Sequence, residues 1–83
     1  MKLENALKKL QTLGLTTQSI GNQYTTIVGK NIIEFRVGIF GDNLNNIGLI
    51  RVIGKDERDD FMHDYCAGVF CDNLSQAIRL ASN

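Results

Sequence analysis

Apolar residues recur at helical spacing near the start of the chain. Leu3, Ala6, Leu7, Leu10 and Leu13 form one stripe, and Lys2, Glu4, Asn5, Lys8, Lys9 and Gln11 fill the other face. Glu4 and Lys8 stand four apart in the favourable order for an ion pair. Gly14 follows the last periodic position, where a left-handed residue ends a helix. The pattern predicts a first helix over residues 2–13.

The period then changes from helical to alternating. Gln23–Val28 and Asn31–Phe40 are rich in β-branched and aromatic residues, and Gly29-Lys30 between them suits a two-residue hairpin turn with glycine first. That turn sets Thr26 opposite Ile33 and Tyr24 opposite Phe35. Tyr24, Thr26, Val28, Ile33, Phe35, Val37 and Ile39 then share one face. Gln23, Thr25, Ile27, Ile32, Glu34 and Arg36 share the other.

Residues 41–46 have loop composition. Ile47–Ile53 is a strand apolar on both faces except at Arg51, as a central or covered strand would be. Tyr65–Phe70 reads as a fourth, short strand. Asp72 or Asn73 then caps a second helix, with Gln76 at capping-box spacing and Leu74, Ala77, Ile78 and Ala81 as its buried stripe. The order is α-β-β-β-β-α. Short connections between successive strands favour an antiparallel meander, and both helices would pack on one face of it. The expected class is α+β: a four-stranded antiparallel meander in a single small domain, residues 1–83.

Composition changes this picture little. With 43% hydrophobic and 22% charged residues among 83, the chain can build one modest core and is not disordered. No apolar run approaches the roughly 20 residues of a membrane span, and no signal peptide is visible. Two cysteines are too few for a disulfide framework, so a reduced, cytoplasmic protein is expected.

Charge changes it more. Nine basic and nine acidic residues cancel, which argues against direct nucleic-acid binding. The two signs are segregated, however. Residues 1–55 hold seven Lys/Arg against three Asp/Glu, a net +4; residues 56–83 hold two against six, a net −4. Asp56, Glu57, Asp59 and Asp60 form a run broken only by Arg58, and Asp64 follows closely. Its plain reading is a solvated connection. Its functional reading is a contact surface for a protein partner with a basic patch.

Catalytic and metal chemistry have thin support. His63, Asp64, Cys66 and Cys71 lie close together, but His-x2-Cys-x4-Cys fits no standard zinc spacing. Cysteines five apart on a strand would face opposite sides. There is no glycine-rich phosphate loop and no third group to orient a nucleophile. The expectation is no enzyme, no catalytic residue, no metal and no cofactor. A better candidate is the sheet face away from the helices. It carries Ile27, Ile32, Glu34 and Arg36, and the next strand adds either Leu49 and Arg51 or Gly48, Ile50 and Val52. That mixture of aliphatics and a few charges resembles an interface, and it could also join two copies of the chain.

The order of elements resembles that of double-stranded-RNA-binding domains, whose second helix opens with a lysine cluster. Here the same place reads Asp72-Asn73-Leu74-Ser75-Gln76, with only Arg79 basic in the helix. The tail from Asp64 to Ala81 resembles the strand-then-helix endings of small phage and mobile-element accessory proteins, anti-CRISPR inhibitors among them. That resemblance covers about a quarter of the chain. It implies a protein that binds and blocks a bacterial defence complex, and it transfers no residue role. The leading expectation is a non-enzymatic inhibitor acting through the acidic residues and the face around Glu34, Arg36 and Arg51. The alternative is a regulatory or nucleic-acid-associated domain. For that, Lys2, Lys8, Lys9, Lys30, Arg36 and Arg51 would have to converge on one surface.

Overall fold

The computed structural model describes residues 1–38, 45–55 and 68–82. Helix α1 spans Leu3–Thr12, followed by strands β1 (Thr17–Ile20), β2 (Gln23–Val28), β3 (Asn31–Val37), β4 (Ile47–Gly54) and β5 (Val69–Cys71), and then helix α2 (Leu74–Ala81). The five strands form one antiparallel sheet in chain order. This is the expected α+β meander with one strand more than the four expected. The extra strand is β1, whose sequence Thr-Gln-Ser-Ile has one apolar residue, and that residue faces solvent. The tail strand expected over 65–70 appears as Val69–Cys71; residues 65–67 lie outside the described ones.

Local sequence accounts for the boundaries. At the end of α1 the Leu15 N–H bonds the Leu10 carbonyl and the Gly14 N–H bonds the Gln11 carbonyl, with Gly14 at φ 78°. That paired arrangement satisfies carbonyls the helix would otherwise leave open. Gly21-Asn22 and Gly29-Lys30 are both two-residue turns with glycine first, at φ 59° and 60°. Only glycine takes that conformation cheaply, and its twist matches that of the flanking strands. Asn73 caps α2, its Oδ1 accepting from the Gln76 N–H at 2.8 Å. Gln76 reaches back through Oε1 to the Asp72 N–H at 2.9 Å.

The hairpin of β2 and β3 has the expected register, with Tyr24 opposite Phe35 and Thr26 opposite Ile33. Both helices lie on the face that carries Phe35. Ala6 and Leu10 of α1, Leu74, Ala77 and Ala81 of α2, and Ile33, Phe35, Ile50 and Val52 of the sheet form one buried cluster. Tyr24 stacks on Phe35 with ring centroids 5.3 Å apart. Thr26 is fully buried and its hydroxyl is bonded to that of Thr17 at 2.8 Å. The Asn31 side chain donates to the Ala81 carbonyl at 2.9 Å, tying the end of α2 to the start of β3. Lys9 of α1 donates to the Ser75 hydroxyl of α2, so the helices lie side by side.

One irregularity sets the outer face. Phe35 pairs with Ile50 and Arg36 with Gly48, which leaves Leu49 as an extra residue in β4 at φ 45°. The bulge reverses the alternation. Ile47 and Ile50, three apart, can therefore both pack toward the helices. Arg51 and Ile53 are left on the outer side opposite Glu34 and Ile32.

Candidate functional site

The outer face is assembled from alternate residues of every strand. Gln18 and Ile20 come from β1, Gln23, Thr25 and Ile27 from β2, Ile32, Glu34 and Arg36 from β3, Arg51 and Ile53 from β4, and Phe70 from β5. Glu34, Arg36 and Arg51 are thus neighbours, as expected from the sequence, and the register that puts Arg51 on this face is the one that occurs. The two alternatives for β4 are each partly realised. The bulge gives this face Gly48 on one side of Leu49 and Arg51 on the other.

The three charges have different roles. Glu34 is buried at 6% exposure, and its side chain bonds Arg51 and Gln23. Its Oε1 accepts from Arg51 Nε at 3.1 Å and from Arg51 Nη2; its Oε2 accepts from Gln23 Nε2 at 2.6 Å. A carboxylate in so little water needs such partners, since an unpaired buried charge is costly. Among the described residues no buried side-chain nitrogen or oxygen lacks a hydrogen bond. Glu34 and Arg51 therefore hold β2, β3 and β4 in register. Arg36 is exposed beside them.

Two depressions flank this ion pair. A groove of about 620 Å³ lies on the β1–β2 side, lined by Leu15, Gln18, Ile20, Gln23, Thr25 and Ile27 together with the pair itself. A smaller one of about 190 Å³ lies on the β4–β5 side between Arg36, Leu49 and Phe70. Their apolar walls are open to solvent: Ile20 is 84% exposed, Phe70 53%, Ile27 50% and Leu49 45%. The face offers aliphatic and aromatic area interleaved with amides, hydroxyls and one exposed guanidinium.

Gln18, Ile20 and Phe70 were not anticipated as part of this face. For the first two a signal existed: Gly21-Asn22 repeats the glycine-first signature of Gly29-Lys30 and announces a second hairpin. For Phe70 none existed, because its place depends on pairing with Arg51, distant in the chain.

The other expected contact residues, Asp56, Glu57, Asp59, Asp60 and Asp64, lie outside the described residues, as do His63 and Cys66. Cys71 is a free thiol, paired opposite Ile50 and turned toward the helices. Burial pushes its thiol pKa up, and Asp72 adds to the effect. Among the described residues no cluster of His, Cys, Asp and Glu could hold a metal ion. The six basic residues of the nucleic-acid alternative do not converge. Lys2 stands at the N-cap position of α1, Lys9 sits on α1 against α2, Lys8 pairs with Glu4 at 3.4 Å, and Lys30 lies in the β2–β3 turn, while Arg36 and Arg51 occupy the opposite side of the sheet. No helix among the described residues is long and apolar enough to cross a membrane. The chain matches no protein-family model, no curated protein and no solved structure.

Proposed function

We propose that this chain is a non-enzymatic protein-binding module that docks its partner on the outer face of the sheet. One observation carries the reading: solvent-exposed Ile20, Ile27, Leu49 and Phe70 surround an ion pair whose hydrogen bonds are made within the chain. Apolar area of this kind gains by being covered, and the ordered polar floor needs no rearrangement to be covered. Catalysis would need a free base or nucleophile in the groove. Among the described lining residues, the carboxylate is engaged by Arg51 and Gln23, and the described cysteine is on the other side.

The acidic residues from Asp56 to Asp64 complete the proposal as the charged element. They steer the module toward a basic patch on the partner. The resemblance of the tail to phage and mobile-element accessory proteins supplies the class of partner to try first, a bacterial defence complex of the CRISPR type.

The test is affinity capture from a bacterial lysate with mass-spectrometric identification, followed by binding kinetics on the purified partner. Ile27→Lys should abolish capture while leaving the melting temperature unchanged. Reversing Asp59 and Asp60 to Lys should slow association at low salt and have little effect at high salt. A partner retained equally by both variants would place the interface elsewhere and overturn the proposal.

A further inference from the structure

Sheet edges are where a soluble protein is most exposed to unwanted pairing. Natural sheets protect them with charges, proline, bulges, very short strands or a covering element. The two edges here are treated differently. β5 has three residues and runs directly into Asp72 and the cap of α2. Among the described residues β1 has none of these devices apart from modest length. It is a regular four-residue strand, bonded to β2 on one side and to no other strand among the described residues on the other. The surrounding sequence is also free of charge: no Lys, Arg, Asp, Glu or His occurs from Gln11 to Gly29. In a chain with 22% charged residues, the uncharged stretch coincides with the open edge.

From this edge we infer that two copies of the chain associate through antiparallel β1–β1 pairing, giving one continuous ten-stranded sheet. The backbone geometry is suited to it. In a two-residue hairpin the residues that close the turn, Ile20 and Gln23, exchange hydrogen bonds, and the pattern alternates from there. Ser19 and Thr17 therefore turn their N–H and C=O groups outward, away from β2. A two-fold axis through Gln18 sets Thr17 of each copy opposite Ser19 of the other and uses all of these outward groups. On the helix side of the sheet the facing side chains are then small hydroxyls. On the outer side the Gln18 amide faces its own image, and an amide, being donor and acceptor at once, is complementary to itself.

The same features select a second copy over other occupants. An uncharged edge does not repel its own image, and it gives a charged peptide no handle. The axis runs perpendicular to the sheet, so the helices of both copies stay on one side and the two outer grooves become neighbours. Ile20, 84% exposed in the single chain, is covered at the seam. The edge is short, about 13 Å at the rise of a strand, so the association is a weak one. It does not rest on the proposed partner: either could fail alone.

Sedimentation velocity should show a monomer–dimer equilibrium for the wild type across roughly 10 µM to 1 mM. Hydrogen exchange at the Thr17 and Ser19 amides should slow as concentration rises, while exchange at Gln18 should not respond. Ser19→Pro removes an outward donor that β2 does not use, so the fold should keep its melting temperature. Each substitution acts twice across a two-fold interface, and the dimer should weaken about ten-fold or more. Gln18→Lys sets two ammonium groups face to face and keeps the test open if the proline variant does not fold. A wild-type chain that stays monomeric at 1 mM, including one whose edge takes up an added extended peptide instead, would overturn the inference. So would a dimer that survives both substitutions or leaves the Thr17 and Ser19 amides unprotected.

Discussion

Glu34 and Phe35 are adjacent in the chain and both are buried, at 6% and 0% exposure, yet different physics holds them. Phe35 lies under two helices, stacked on Tyr24 and enclosed by Ile33, Ile50 and Leu74. Its contribution is area removed from water, which has no direction and scales with the size of the ring. Glu34 points the other way and is held by directional bonds to Arg51 and Gln23. The inner face is stabilised by coverage; the outer face buries Ile32 and Ile53 as well, and adds directional pairing at Glu34. Coverage makes each large side chain on the inner face costly to trim. On the outer face Ile20 and Ile27 stay exposed, contribute little to the fold and stand free to contact something else.

The largest effect that would sharpen this contrast is at Phe35. Phe35→Ala should cost about 3–5 kcal/mol, the transfer of the ring plus the cavity left behind. A domain of this size holds only about 4–12 kcal/mol in all, so the variant should be partly unfolded at room temperature. Denaturant titration provides the measurement. A loss under about 1 kcal/mol would mean the helices do not close over this ring.

Next comes the ion pair. Glu34→Ala leaves Arg51, only 13% exposed at its side chain, without its main acceptor. The expected loss is about 2–3 kcal/mol, less than for a fully buried pair because Arg51 can turn toward water. The double variant Glu34→Leu with Arg51→Met removes both charges together. It should recover most of that loss, since replacing a buried pair by apolar groups is often neutral. If the double variant is no better than the single, the pair supplies net stability and not only register, and the division between the two faces is less sharp.

The parts of the fold that were legible from sequence are those set by local chemistry. The glycine after Leu13, the Gly29-Lys30 turn and the Asn73 cap each act within a few residues, and each fixed a boundary or a register correctly. The hairpin alternation placed Glu34 and Arg36 together on the outer face for the same reason. What escaped depended on partners far along the chain. β1 shows no alternation of buried and exposed positions, because its stability comes from pairing with β2 and not from an apolar face of its own. The Glu34–Arg51 pair needs the register of β3 with β4, and residues 38–46 between them are too many for the two-residue turn that would fix it. The bulge at Leu49 then breaks the parity that a regular strand would impose. Leu is also an unexpected residue at φ 45°, where a side chain is strained, so nothing in its identity announced the position.

The smallest effect is the most telling for function. Ile27 sits opposite Ile32 on the outer face and is half exposed. Ile27→Thr keeps the β-branch and the strand propensity and changes mainly the apolar surface presented to solvent. On the inner face such a change would be felt as lost burial plus an unsatisfied hydroxyl. Here the hydroxyl meets water, so the stability should move by no more than about 0.5 kcal/mol. Binding to a captured partner should fall by about ten-fold or more if this isoleucine lies at the centre of the contact, because the residue then gives up buried area in the complex that it never had in the free chain. The two readouts separate the faces. A fold that loses more than about 1 kcal/mol would show that Ile27 is already covered within the single chain, and the outer face would then be a second core and not a docking surface.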